Sequence, residues 1–242
     1  MTSEERRAAL EAIAGEVRTC QQCRLHATRE RAVPGEGSPD TEVIFVGEGP
    51  GFNEDRQGRP FVGRAGDLLN KLLGSIEWPR GDVFITNVVK CRPPDNRDPE
   101  PDEIAACAPF LRRQLEALDP ALVVTLGRHS MATFRPGVRI SQVHGTTAPV
   151  DPATGARDAT MLAMYHPAAA LRTQAIERES YADIGGAPRA LLEARARRAG
   201  GGASSAPGHE SGSGIVAEAD TIVIAAAGDV LGEPAAPELT IF

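Results

Sequence analysis

A chain of 242 residues has room for one well-packed domain with a tail, or for two small domains. No apolar run approaches the roughly 20 residues of a membrane span, and "MTSEERRAALEAIAGEVRTC" at the start is charged and amphipathic, unlike a signal peptide, so a cytoplasmic protein is expected. The net charge of −7 excludes no nucleic-acid partner, because six acidic residues and no Lys or Arg lie in 199–242; setting those six aside leaves residues 1–198 at about −1.

Residues 3–17 form the first expected helix, with Leu10, Ile13 and Val17 on one face. An apolar strand over 42–47 breaks into a glycine-rich loop that runs to Gly63. Leu68, Leu69, Leu72 and Leu73 then recur at helical spacing over 65–76. A second strand is expected over 82–89 and a long helix over 101–118, whose acidic first turn suits the macrodipole and which Asp119-Pro120 stops. A third strand, 121–127, is uniformly apolar. A short helix at 128–134, irregular strands near 140–150, a last strand over 160–167 and a helix near 187–198 complete the domain.

Apolar strands alternating with helices predict a parallel sheet between helical layers. The domain spans 1–198. From 199 the linker-like "AGGGASSAPGHESGSG" opens an acidic, Ala-rich tail over 199–242 that is expected to be disordered and that ends in the apolar "PELTIF". Ligands of such sheets bind at the carboxyl ends of the strands, where Gly47–Gly51, Asn87–Lys90 and Tyr165-His166 all fall.

The glycine loop Gly47-Glu48-Gly49-Pro50-Gly51 fits neither the dinucleotide fingerprint nor the P-loop. Glu48, Glu54 and Asp55 would oppose a phosphate. Glycines that admit close backbone approach, carboxylates and the ring of Phe61 suit instead a flat, neutral, hydrogen-bonding ligand whose reaction develops positive charge. Asn87 carries an amide donor and acceptor that can read a pyrimidine edge, and His166 can donate to an oxygen of a departing base. The competing roles are ordinary ones: a strand-ending turn for Asn87, a histidine before proline for His166, core packing for Phe61. The basic clusters Lys90, Arg92, Arg97 and Arg195, Arg197, Arg198 read as solvated surface.

Cys20 and Cys23 form a C-x2-C pair, and Cys91 and Cys107 follow with no cysteine left over. Four thiolates in a cytoplasmic chain point to metal, and spacing leaves zinc and an iron–sulfur cluster both open.

"GEGPGFNEDRQGRPFVGRAG", "TNVVKCRPPDNR" and "YHPAAALR", with the four cysteines, resemble the family 4 uracil-DNA glycosylases from about Cys20 to Arg172. The resemblance implies a three-layer α/β/α sandwich with a mostly parallel four-stranded sheet, and a [4Fe–4S] cluster on Cys20, Cys23, Cys91 and Cys107. It implies hydrolysis of the N-glycosidic bond of deoxyuridine in single- or double-stranded DNA by a monomer. Phe61 would stack on uracil, Asn87 would read its Watson–Crick edge, backbone amides at Glu48 and Gly49 would bind an oxygen, and His166 would stabilise the leaving base. Glu48 or Glu54, the latter oriented by Asn96, would handle the water; Leu171 would wedge into the base stack and Arg172 meet a phosphate. His144 stands where the family more often has Arg, and "KCRPPDNRDPEP" has no reactive His of the kind that crosslinks to DNA in a related group. The terminal Leu239, Ile241 and Phe242 resemble the short apolar motif by which bacterial repair proteins dock to the sliding clamp, with Glu238 in place of the usual Gln. Two other readings stay open: an iron–sulfur nucleic-acid-binding module without catalysis, and a zinc protein that binds a small nucleotide.

Overall fold

The computed structural model describes residues 1–201. The tail expected over 199–242, with Leu239, Ile241 and Phe242, lies outside them apart from its first three residues, which continue the last helix. In chain order the elements are α1 (Ser3–Thr19), β1 (Glu36–Gly37), β2 (Val43–Gly47), α2 (Phe52–Gln57), α3 (Arg64–Ser75), β3 (Phe84–Asn87), α4 (Pro101–Leu118), β4 (Leu122–Leu126), α5 (Arg128–Phe134), α6 (Ile140–Val143), β5 (Thr147–Pro149), β6 (Thr160–Met164), α7 (Pro167–Ala170), α8 (Gln174–Gly185) and α9 (Ala187–Gly201).

The sheet order is β1-β3-β2-β4-β6-β5. The four inner strands are parallel, as their apolar runs predict. The sheet nonetheless has six strands rather than four, because β1 and β5 add antiparallel to its edges. Those two are "EG" and "TAP", too short to carry an alternation. Four further differences are helical, one being α7, which takes up Pro167 at the end of the strand expected over 160–167. Residues 140–143 form α6, so only 147–149 of the expected irregular strands is extended. The loop expected to reach Gly63 contains α2, and the sequence pattern had not signalled α8.

Period-two alternation divides each buried strand between two cores. Ile44 and Val46 face one side with Phe84, Val123 and Met161, against Ile13 and Val17 of α1, Leu111 and Leu115 of α4 and Met131 of α5. Val43 and Phe45 face the other with Leu122, Val124 and Leu162, against Leu69 and Leu72 of α3, Ile184 of α8 and Ala190 of α9. The result is a three-layer sandwich. The arginines of α9 fasten it at the amino ends of the strands: Arg195 pairs with Glu42, and Arg198 donates to the carbonyls of Asp119 and Pro120 at 3.0 and 2.6 Å.

Candidate active site

Register sets the site. Gly47 and Asn87 are paired at the carboxyl ends of β2 and β3. A Cβ on Gly47 would overlap Asn87 Oδ1 and come within 2.6 Å of Phe61 Cζ, so a glycine here lets both side chains close over the strand end. They face a cavity of about 380 Å³ that Glu48, Gly49, Glu54 and His166 also line, with Asn96 and Arg172. Among the expected site residues outside the cysteines, Leu171 alone does not line it; it stands exposed beside Arg172.

Phe61 is held in a left-handed conformation (φ 49°) that non-glycine residues seldom adopt. Two contacts impose it. Gly66 packs directly beneath the Phe61 backbone, where any Cβ would collide. Glu54 Oε1 accepts the amides of Val62 and Gly63 at 2.9 and 3.1 Å. The ring lies near the His166 imidazole, centroids 5.6 Å apart and planes 30° apart.

His166 caps α7, with its Nδ1 accepting from the amide of Ala168 at 3.1 Å. That bond fixes the tautomer, leaving the proton on Nε2. Burial lowers its pKa to about 4, against an opposing pull from Glu54, so the ring is neutral near pH 7. Asn87 is 1% exposed, and its Oδ1 has no hydrogen-bond partner. Beneath it, Lys90 is no surface charge. Its buried Nζ donates to Asn87 O, Thr86 Oγ1 and Gln114 Oε1, each at 2.7 Å, and burial lowers its pKa to about 8.

Glu48 is pushed above the ordinary carboxylate range by burial. Its neighbours were not signalled in the sequence. His129 Nε2 lies 3.9 Å from Glu48 Oε2 and 3.4 Å from Asp98 Oδ2, and Arg128 pairs with Asp98. Both Arg128 and His129 follow β4, so the rule that picked out the ends of β2, β3 and β6 could have found them. Asn96 does not orient Glu54: its Oδ1 accepts from Arg92 Nε at 2.8 Å. Arg97 is bound bidentately to Glu103, at 2.9 and 2.6 Å.

The four cysteines, none of them in a disulfide, line one small cavity between the end of α1, the loop after β3 and α4. Three sulfurs receive N–H groups: Cys91 from Arg29 Nη1 at 3.0 Å, Cys107 from the Lys90 amide at 3.2 Å, and Cys20 from the Gln22 amide at 3.5 Å. Such donors suit thiolate ligands. The chemistry of this donor set fits a metal–sulfur centre held by four thiolates.

The family model for the uracil DNA glycosylase superfamily matches residues 34–184. The Type-4 uracil-DNA glycosylase of Archaeoglobus fulgidus is 44% identical over 181 residues, covering 72% of this chain and 89% of that protein. The Type-4 uracil-DNA glycosylase of Thermotoga maritima is 44% identical over 168 residues, covering 69% and 86%. With the Type-4 uracil-DNA glycosylase of Saccharolobus solfataricus the chain shares 59% identity over 122 residues, 50% of its own length and 56%, about half, of that relative.

Proposed function

This chain belongs to the uracil DNA glycosylase superfamily, among its type-4 members, and we propose that it hydrolyses the N-glycosidic bond of deoxyuridine in DNA, releasing uracil and leaving an abasic site for base-excision repair. One observation carries the reading: Asn87 Oδ1, a buried acceptor without a partner, shares its cavity with a fixed donor, His166 Nε2. A uracil edge is their complement, with an N3–H to give and carbonyl oxygens to receive. Cytosine has a lone pair at N3, which would leave Asn87 Oδ1 unpaired at a cost of about 1–3 kcal/mol.

The base must leave the stack or be single-stranded already. Phe61 stacks on it, and the amides at Glu48 and Gly49 take one oxygen. As the C1′–N1 bond breaks, its electron pair goes to the uracil ring, and His166 Nε2–H donates to the oxygen that gathers the charge. A neutral imidazole does this without having to lose a proton first. The sugar becomes oxocarbenium-like. Glu48 faces that cation, and its carboxylate takes a proton from the water whose oxygen bonds to C1′. Glu54 acts through the Phe61 loop, as a positioning residue. Leu171 supports the extruded state as a wedge, and Arg172 meets a phosphate.

Cys20, Cys23, Cys91 and Cys107 would hold a [4Fe–4S] cluster. When bound, it would supply a cross-link that fixes the end of α1 and the Asn87–Arg97 segment against α4. We assign the protein to the cytoplasm, as a monomer acting at the nucleoid, with Leu239, Ile241 and Phe242 docking to the sliding clamp. Among the described residues no helix is long and apolar enough to cross a membrane.

The test is release of uracil from an end-labelled oligonucleotide, read as alkali-labile cleavage at the uracil position. Cleavage is expected with uracil and not with cytosine at that position. No cleavage of the uracil strand would overturn the reading.

A further inference from the structure

The exposed face of α2 carries a second feature. Phe52, its first residue, is 52% exposed, and it has the guanidinium carbons of Arg56 and Arg92 at 5.7 and 5.3 Å from its ring centre. A phenyl ring that exposed contributes little to folding, since most of its apolar surface stays in water. The acidic residues of the same helix are committed elsewhere. Asp55 is buried and accepts the amide of Glu30 at 3.0 Å, and Glu54 holds the Phe61 loop. The helix thus sorts "FNEDRQ" by direction, with an aromatic and a cation on one face and its carboxylates bound to backbone amides.

The patch is continuous with the pocket on two sides. Phe52 follows Gly51 and Arg92 precedes Pro93, both of which line the cavity. Asn96, another lining residue, holds Arg92 over the ring through its 2.8 Å hydrogen bond. Arg97, in the same loop, is neutralised by Glu103 and adds no free charge.

We infer that Phe52, Arg56 and Arg92 form a stacking platform for a base of single-stranded DNA next to the nucleotide held in the pocket, with the two guanidiniums meeting its phosphates. The inference rests on the glycosylase reading. An exposed ring with adjacent cations is the chemistry by which single strands are held without sequence preference. Every base has a π-face, so the platform would favour single-stranded or locally opened DNA over an intact duplex.

The test uses the full chain and a fluorescein-labelled single-stranded oligonucleotide with one central uracil. Binding is followed by anisotropy and uracil release is measured separately. Phe52→Ala is expected to raise Kd about tenfold, the order that one base–aromatic stack supports. Phe52→Trp should bind like the parent, and Tm should barely move because the ring is exposed. On an oligonucleotide whose uracil is flanked by abasic spacers, parent and Phe52→Ala should bind alike. Kd values within twofold on the normal strand, or an equal deficit on the spacer strand, would overturn the platform. A parent protein that binds the strand but releases no uracil would sink the glycosylase reading alone, with the anisotropy comparison still deciding the platform.

Discussion

Glu54 holds Val62 in place: its carboxylate oxygen accepts the Val62 amide at 2.9 Å, one residue beyond the strained Phe61. A glutamine keeps an oxygen that can accept, whereas alanine leaves two amides without a partner at about 1–3 kcal/mol. Glu54→Gln is therefore expected to keep uracil release within a few-fold of the parent. Glu54→Ala should lower both Tm and the single-turnover rate. A large loss of rate in Glu54→Gln at unchanged Tm would move this carboxylate from positioning into the chemistry.

Glu48 must be ionised to face the oxocarbenium ion, and burial places its pKa above the ordinary 4.5. Single-turnover rates should rise with pH as this raised carboxylate ionises. Of its charged neighbours His129 and Arg128 lower it and Asp98 raises it. Asp98→Asn is thus expected to move the acid limb of the profile to lower pH, and His129→Ala to move it higher. Parallel shifts in both variants, or none, would dissociate this network from the reaction.

His166 sets a separate pH dependence, in stability. Its native pKa of about 4 lies below the 6.5 of an ordinary histidine. Between those values the unfolded chain binds a proton that the native site refuses, so stability falls as pH drops from 6.5 to 4. The urea midpoint of the parent should decline over that window more steeply than that of His166→Gln. Equal slopes would mean that His166 titrates normally in the folded protein.

The two legible features of this chain were its apolar strands and its strand-end residues, for one reason. A parallel strand buried on both faces writes its environment into consecutive residues, as Val43 to Val46 and Leu122 to Leu126 do. Residues at the carboxyl ends of such strands face the ligand side of the sheet, which made Asn87 and His166 readable as lining the cavity. Lys90 was not, because its burial depends on Gln114, 24 positions away on α4, together with Thr86 and the Asn87 carbonyl. Helix α8 escaped because Ser180 and Asp183 occupy much of its buried face, Asp183 pairing with His144 Nδ1 at 3.0 Å. His144, noted in the sequence only as a departure, is thereby tied to the scaffold.

The cysteine site predicts a composition. A [4Fe–4S] centre should give a brown protein with iron and acid-labile sulfide in equal amounts, and Cys107→Ser should lose both and lower Tm. Chelation or oxidation of the parent should have the same direction of effect, since the cavity spans α1, the loop after β3 and α4. One zinc per chain with no iron would overturn the cluster assignment.

Gly47→Ala is the sharpest probe of the base pocket. Its new methyl would overlap Asn87 Oδ1 and sit 2.6 Å from Phe61 Cζ, and the strand pairing on either side leaves the backbone little room to retreat. Overpacking of this kind costs about 1–3 kcal/mol, which a domain with two complete cores can absorb. The pocket cannot, because the same displacement moves the group that reads uracil and the ring that stacks on it. The variant is expected to fold, with Tm reduced by several degrees, and to lose uracil release by about a hundredfold or more, as a misplacement near 1 Å can cause. Near-normal release would mean that Asn87 and Phe61 are free to shift, and the proposal that a fixed donor–acceptor pair recognises uracil would fall with it.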